Sequence, residues 1–212
     1  MKQYGLDRSA AAANRWNDVV YQMITDVLRA PVLPHDPAFT LGGLSGDRMI
    51  TEMAFYYPIR RITADGIRRV LGKKTGSRVE INPNFAESGE RLEFKPVHGY
   101  MRGFIDLVFE HAGKYYLLDW KTNHLGYAPL DYEYTRLQRC IADESYYLQY
   151  YIYAVALHRY LVHRLPGYDY DRHFGGAVYL FVRGVTPDLP GNGVYFDRPD
   201  KTTVERLDSV LG

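Results

Sequence analysis

Residues 99–123, GYMRGFIDLVFEHAGKYYLLDWKTN, hold two runs rich in β-branched and aromatic residues, 101–110 and 115–121, on either side of a short turn containing Gly113. That pattern predicts an antiparallel hairpin. Asp106 lies inside the first run, and Asp119 and Lys121 inside the second. Residues two apart on a strand project from one face, so Asp119 and Lys121 point together and Trp120 points away. Asp106 can stand beside Asp119 only if the paired residue numbers sum to an odd number. An even-residue loop such as 111–114 meets that parity; a three-residue loop without a bulge puts Asp106 on the opposite face.

Outward from the hairpin, Trp16, Val19, Val20, Met23, Ile24, Val27 and Leu28 recur at helical spacing, which predicts an amphipathic helix over 8–29. The Pro- and Gly-rich stretch 30–47 is expected to be a loop. A strand is predicted over 49–59 and a short helix over 63–71, closed by Gly72. The polar stretch 73–97 is expected to be irregular, with possible strands at 79–81 and 91–94. Beyond a loop to about residue 131 comes helical sequence. Residues 144–164 contain no Gly or Pro and are apolar around most of a helical circumference, so a buried helix is expected, closed by Pro166 and Gly167. Gly175 opens GGAVYLFV, the pattern of a fully buried strand, and 202–211 predicts a closing helix. The order is that of an α/β fold around a mixed sheet.

The chain has 212 residues, 46% of them hydrophobic, enough for one core and too few for two large domains. Composition excludes disorder, collagen-like repeats and a disulfide scaffold. Cys140 is the single cysteine, so an internal disulfide, a four-cysteine zinc site and an iron–sulfur cluster are excluded and a reducing compartment is expected. No run of 18 apolar residues and no apolar N-terminal signal core are present, and the expectation is a cytosolic protein. The formal charge of +1 argues against a wholly basic nucleic-acid coat while leaving local patches open.

With the hairpin parity met, two carboxylates converge near an ammonium group. Such a set suits Mg²⁺, which prefers oxygen ligands, with the backbone carbonyl of Trp120 as a further donor. The metal can acidify water and neutralise charge on a phosphate oxygen, and Lys121 can orient the attacking water or stabilise the transition state. The ordinary alternative is a cross-strand salt bridge on a wet face, which the apolar flanks of both aspartates weaken. Gln149 and Tyr153, spaced i and i+4, share a helix face and could position water or phosphate above the site; otherwise Gln149 satisfies backbone and Tyr153 is core.

GFIDLVF, YYLLDWKTNHLG, YYLQYYIYAVALHRYLVHRL and HFGGAVYLFVRGV together resemble the C-terminal nuclease domain of RecB, the beta subunit of RecBCD helicase-nucleases (exodeoxyribonuclease V). The resemblance extends back through TEMAFYYPI and is densest over 99–185. It implies the restriction-endonuclease-like PD-(D/E)xK fold, a mixed central sheet flanked by helices. On that pattern Asp106 and Asp119 take the metal-carboxylate positions and Lys121 the catalytic-lysine position. Glu52 matches an acidic position of the wider group, and Gln149 and Tyr153 its Gln-x-x-x-Tyr helix motif. The implied activity is Mg²⁺-dependent cleavage of DNA phosphodiesters, with Mn²⁺ as a substitute, in bacterial cytoplasm during double-strand-break repair and recombination. Implied partners are DNA, RecC-like and RecD-like subunits and a helicase part of the same chain. One nuclease domain over 1–212 is expected, with a core over 47–185, an N-terminal helix and loop over 1–46 and an extension over 186–212.

The pattern departs from the family at one point. The family nuclease also uses a histidine ligand on a helix before the first strand, in a Gly-Thr-x-x-His-like setting, and no such motif is present. His35, between Pro34 and Pro37, reads as a loop residue. The expectation is a fragment that begins after that ligand; an altered site is the other possibility, and a non-cutting docking or regulatory module on the nuclease fold is the alternative function. GIRRVLGKKTGS lacks the Ser or Thr and the glycine spacing of a phosphate loop, so no ATPase is assigned. His158 and His163, five apart, make a poor zinc pair. Arg60, Arg61, Arg68, Arg69, Lys73 and Lys74 are either phosphate contacts or a solvated face. Of the 20 tyrosines, 11 fall between Tyr127 and Tyr170, around the helix expected to cover the site.

Overall fold

A computed structural model describes residues 10–71 and 97–212. The possible strands at 79–81 and 91–94 lie outside the described residues, as do Lys73 and Lys74. The elements are α1 (Ala10–Arg29), β1 (Pro31–Leu33), β2 (Asp36–Thr40), β3 (Met49–Ile62), α2 (Ala64–Leu71), β4 (Val97–His111), β5 (Lys114–Lys121), α3 (Tyr134–Asp143), α4 (Tyr146–Arg164), α5 (Tyr170–His173), β6 (Phe174–Phe181), β7 (Val194–Asp197) and α6 (Lys201–Leu211). Five strands form one mixed sheet in the order β3-β4-β5-β6-β7, flanked by helices.

The predicted hairpin is β4–β5. His111 pairs with Lys114 around a two-residue turn of Ala112 (φ 49°) and Gly113 (φ 75°), an even loop shorter than 111–114. Two successive residues at positive φ match the right-handed twist of the strands they join. The even loop gives Leu107↔Leu118 and Val108↔Leu117, so paired numbers sum to an odd value as the site requires. β5 runs parallel to β6, and the connection between them carries α3 and α4. Every residue of β6 is buried, the mark of a strand covered on both faces.

Two cores cover the two faces. On one, α2, α3, α4 and α6 pack Ile67, Leu137, Tyr150, Leu157 and Leu207 against Ile105, Val108, Leu117 and Tyr179. On the other, Val32, Leu33 and Phe39 of a small β1–β2 hairpin cover Leu107, Phe109, Leu118 and Leu180. That hairpin lies in the segment expected to be a loop: its prolines sit on a two-stranded ribbon outside the main sheet, where a missing N–H costs no central ladder bond. The helix expected over 144–164 is α4, and Ser145 in a left-handed conformation (φ 57°) separates it from α3. The fifth strand and α6 lie beyond residue 185, and both pack into the main core, with Tyr195, Val204 and Leu207 buried. Helix α1 forms as predicted, but most of its apolar stripe stays open: Trp16, Val19, Val20 and Ile24 are exposed while Val27 is buried.

Ala112 holds a left-handed conformation that a β-carbon disfavours and that Asn tolerates. Ala112→Asn is expected to raise stability by about 0.5–1 kcal/mol, read as a higher urea midpoint with an unchanged denaturant slope.

Candidate active site

The sheet register places the three predicted acids in one row. Thr51 and Met53 pair with Leu107 and Ile105, which puts Glu52 opposite Asp106. The β4–β5 ladder ends at Leu107↔Leu118, one step before Asp106 would face Asp119, and Asp119 is level with Tyr179 of β6. At this level the pleat of β4 breaks. Ile105 and Val108 enter the same core although they stand three positions apart, and Leu107 and Phe109 enter the other. Strict alternation forbids that arrangement, so the break falls around Asp106. Glu52, its partner, has φ 51°, a left-handed backbone that costs a non-glycine residue on the order of 1–2 kcal/mol.

The Asp106 carboxylate accepts a hydrogen bond from the backbone N–H of Trp120 at 2.9 Å, the place a strand partner would otherwise fill. Within a strand a residue's N–H and C=O face the same neighbour. The carbonyl of Lys121 accepts from Val182 N–H on the β6 side, so the Trp120 carbonyl faces β4, beyond the last ladder pair. The carboxylates of Asp106 and Asp119 and this carbonyl are oxygen donors of the kind a hard divalent cation takes. Among the described residues, no three of His, Cys, Asp and Glu converge into a metal-binding group, so Glu52 does not join the two aspartates as a third such ligand.

Asp119 and Lys121 are 4% and 8% exposed, and Lys121 Nζ lies 2.6 Å from Asp119 Oδ2. Burial pushes the Asp119 carboxyl above its ordinary value; the bond to Lys121 pulls it down, and the Asp106 charge adds to the rise. The wet-face salt bridge is therefore excluded by the burial of both partners. Gln149 closes the network. Its Oε1 accepts from Lys121 Nζ (2.9 Å) and from the Tyr179 hydroxyl (3.1 Å), and its Nε2 donates to the Tyr153 hydroxyl (2.8 Å) and to Asp119 Oδ1 (3.3 Å). The i, i+4 pair thus meets as predicted. Lys121 Nζ also sits 3.9 Å from the centre of the Tyr146 ring and 4.7 Å from that of Tyr179. The Tyr146 hydroxyl donates to Asn123 Oδ1 at 3.3 Å.

Tyr146, Tyr179 and Asn123 escape sequence reasoning. Tyr146 is three residues before Gln149, a helical spacing that could have flagged it; Tyr179 arrives only through the parallel β5–β6 pairing, which leaves no local trace. Other candidates lie elsewhere. His35 bonds the Tyr116 hydroxyl (3.0 Å), and His111 bonds Asp36 (2.8 Å). His158 bonds the Tyr168 hydroxyl (3.1 Å), and Cys140 is buried, its thiol pushed up to about 11 by burial. Arg68 pairs with Asp65 on the α2 surface.

A mixed sheet flanked by helices, with a carboxylate–lysine pair buried where two strands part, is compatible with a nuclease-like fold. No family model matches the chain. It is similar to the RecBCD enzyme subunit RecB of Escherichia coli (strain K12), 37% identical over 198 residues covering 93% of this chain and 16% of that protein. The same subunit of Haemophilus influenzae is 38% identical, covering 84% and 14%, and that of Mycobacterium tuberculosis 41%, covering 85% and 18%. The chain spans about a sixth of the length of the curated relatives it matches. It is a RecB-like domain.

Removing Lys121 leaves a buried carboxylate without its cation. Lys121→Met is expected to lower stability by about 3–5 kcal/mol near neutral pH. Asp119 already holds its proton more tightly folded than unfolded, so in the window above the ordinary carboxylate value the native state binds more protons and stability falls as pH rises. The variant widens that window. Urea midpoints should therefore show a smaller deficit at pH 5 than at pH 8, and an equal deficit at both would contradict the buried-pair reading.

Proposed function

We propose that the chain is a PD-(D/E)xK nuclease module of a RecB-like subunit, hydrolysing DNA phosphodiester bonds with Mg²⁺, or Mn²⁺ in its place. One observation carries the reading: at the place where the β4–β5 ladder stops, the Asp106 carboxylate takes the Trp120 N–H, opposite a buried Asp119–Lys121 pair. Asp106, Asp119 and the Trp120 carbonyl would hold the cation, which supplies a Lewis acid for phosphate oxygens. Lys121, fixed by Asp119, Gln149 and two tyrosine rings, presents a preorganised positive charge to a developing phosphate charge. Gln149 holds the lysine and carboxylate in register, and the Tyr153 hydroxyl anchors Gln149. Glu52, exposed and opposite Asp106, is placed to contact solvent or substrate at the rim. DNA delivery by a helicase part and by RecC-like and RecD-like partners in bacterial cytoplasm belongs to the same reading. No helix among the described residues is long and apolar enough to cross a membrane.

A second reading stands beside it, a docking or regulatory module on the same fold that does not cut. Calorimetric titration separates the two. The nuclease reading expects Mg²⁺ or Mn²⁺ binding that Asp106→Ala weakens at least tenfold, and loss of linear-DNA digestion in the complete RecB-like enzyme carrying Asp119→Ala. No heat on titration together with undiminished digestion by the Asp119→Ala enzyme would refute it.

A further inference from the structure

β5 pairs with β4 only over 107–111, so from Ile105 outward β4 has a single partner, β3, through Ala54↔Phe104, Tyr56↔Arg102 and Pro58↔Tyr100. One side of this ribbon is core, with Met53, Tyr57 and Ile59 buried. Alternation turns Tyr56, Tyr100, Arg102 and Phe104 to the other side, where Tyr56 is 66%, Tyr100 65% and Phe104 57% exposed. Tyr56 and Tyr100, diagonal neighbours, stack with ring centres 4.8 Å apart and planes 10° from parallel. Neither hydroxyl makes a hydrogen bond among the described residues. Arg102 is exposed and makes neither a hydrogen bond nor an ion pair among them. With Ala54 and Pro58 on this side as well, no carboxylate of the described residues of the ribbon shares it.

Among the described residues these three large rings and the Arg102 guanidinium bury little and find no polar partner, so the packing there does not explain them. We infer that this face is a stacking platform for single-stranded DNA, with bases on the Tyr56–Tyr100 pair and Phe104 and the Arg102 guanidinium on the phosphate backbone. The inference rests on the DNA reading above and extends it from the cleavage site to the path of the strand. Phe104 precedes Asp106 by two residues, about 7 Å along β4, so the platform runs outward from the parted strands on the side opposite the Asp119–Lys121 pair, and a bound strand would reach the site around the β4 edge that β5 leaves unpaired. Charge selects the occupant: a cation without an opposing acid among the described residues suits a polyanion, and flat exposed rings suit unpaired bases of any sequence. A duplex, whose bases already stack on each other, offers them nothing.

The test is fluorescence anisotropy with a labelled oligo-dT strand and the chain in metal-chelating buffer, where binding is read without cleavage. The platform expects the single strand to bind more tightly than a duplex of equal length. Tyr56→Ala/Tyr100→Ala should weaken it about tenfold or more, as should Phe104→Ala, whereas Tyr56→Phe/Tyr100→Phe should retain it. Arg102→Ala should flatten the slope of log affinity against log salt by about 0.7. All these positions are exposed, and a thermal melt matching that of the parent chain confirms that each variant folds. Undiminished oligo-dT binding by both alanine variants, or equal affinity for duplex and single strand, overturns the platform and leaves the DNA reading standing; the face is then one for a polypeptide. A parent chain that binds neither DNA overturns both.

Discussion

The site depends on one exchange of hydrogen-bond partners, in which the Asp106 carboxylate takes the Trp120 N–H that a continuing strand would have taken. A bond to an ionised acceptor is worth roughly 1.5–3 kcal/mol, more than the neutral ladder bond it replaces. β4 and β5 can therefore part without leaving the Trp120 donor orphaned. Parting frees the Trp120 carbonyl on the same side, next in sequence to Asp119. A backbone rule that every polar group be satisfied thus becomes the means of gathering oxygen donors at one point.

Lys121 answers the opposite problem, a charge taken out of water. Its ammonium is held by Asp119, by Gln149 and by the faces of Tyr146 and Tyr179, so little conformational freedom remains to be lost when charge develops nearby. Gln149 makes this possible because its four bonding positions are all in use, two accepted and two donated. Reversing the amide would set its NH₂ against an ammonium, so the network fixes the side chain one way round. The alternative of Gln149 merely satisfying backbone fails on the same bonds.

The hairpin parity was legible because strand alternation and turn length are local, and Ala112–Gly113 is two residues of sequence. Gln149 and Tyr153 were legible through helical spacing. Tyr179 was not, because a parallel partner about 60 residues away is chosen by the packing of α3 and α4 between the strands. The β1–β2 hairpin hid behind Pro31, Pro34 and Pro37, whose usual meaning as loop markers holds for central strands and not for a small ribbon covering a sheet. Glu52 could be placed on its strand, but its left-handed backbone, opposite Asp106 where the β3–β4 pairing skips a step, is a tertiary fact.

That distortion joins the two halves of the ribbon. Outward from Glu52 and Asp106, β3 and β4 alternate regularly, core on one side and aromatic rings on the other; inward, β4 alternates in the opposite phase. A sheet with unbroken pleat would send Asp106 to the same side as Phe104, away from Lys121. Inverting the phase at this one level keeps Asp106 on the side of Asp119 and still leaves the outer ribbon's polar-facing side open to solvent. The strain at Glu52 is the cost of that inversion, and it falls at the acid row, where it re-aims a carboxylate. The exposed aromatic side and the buried ion pair are thus two consequences of one local break in alternation, set on opposite sides of the sheet.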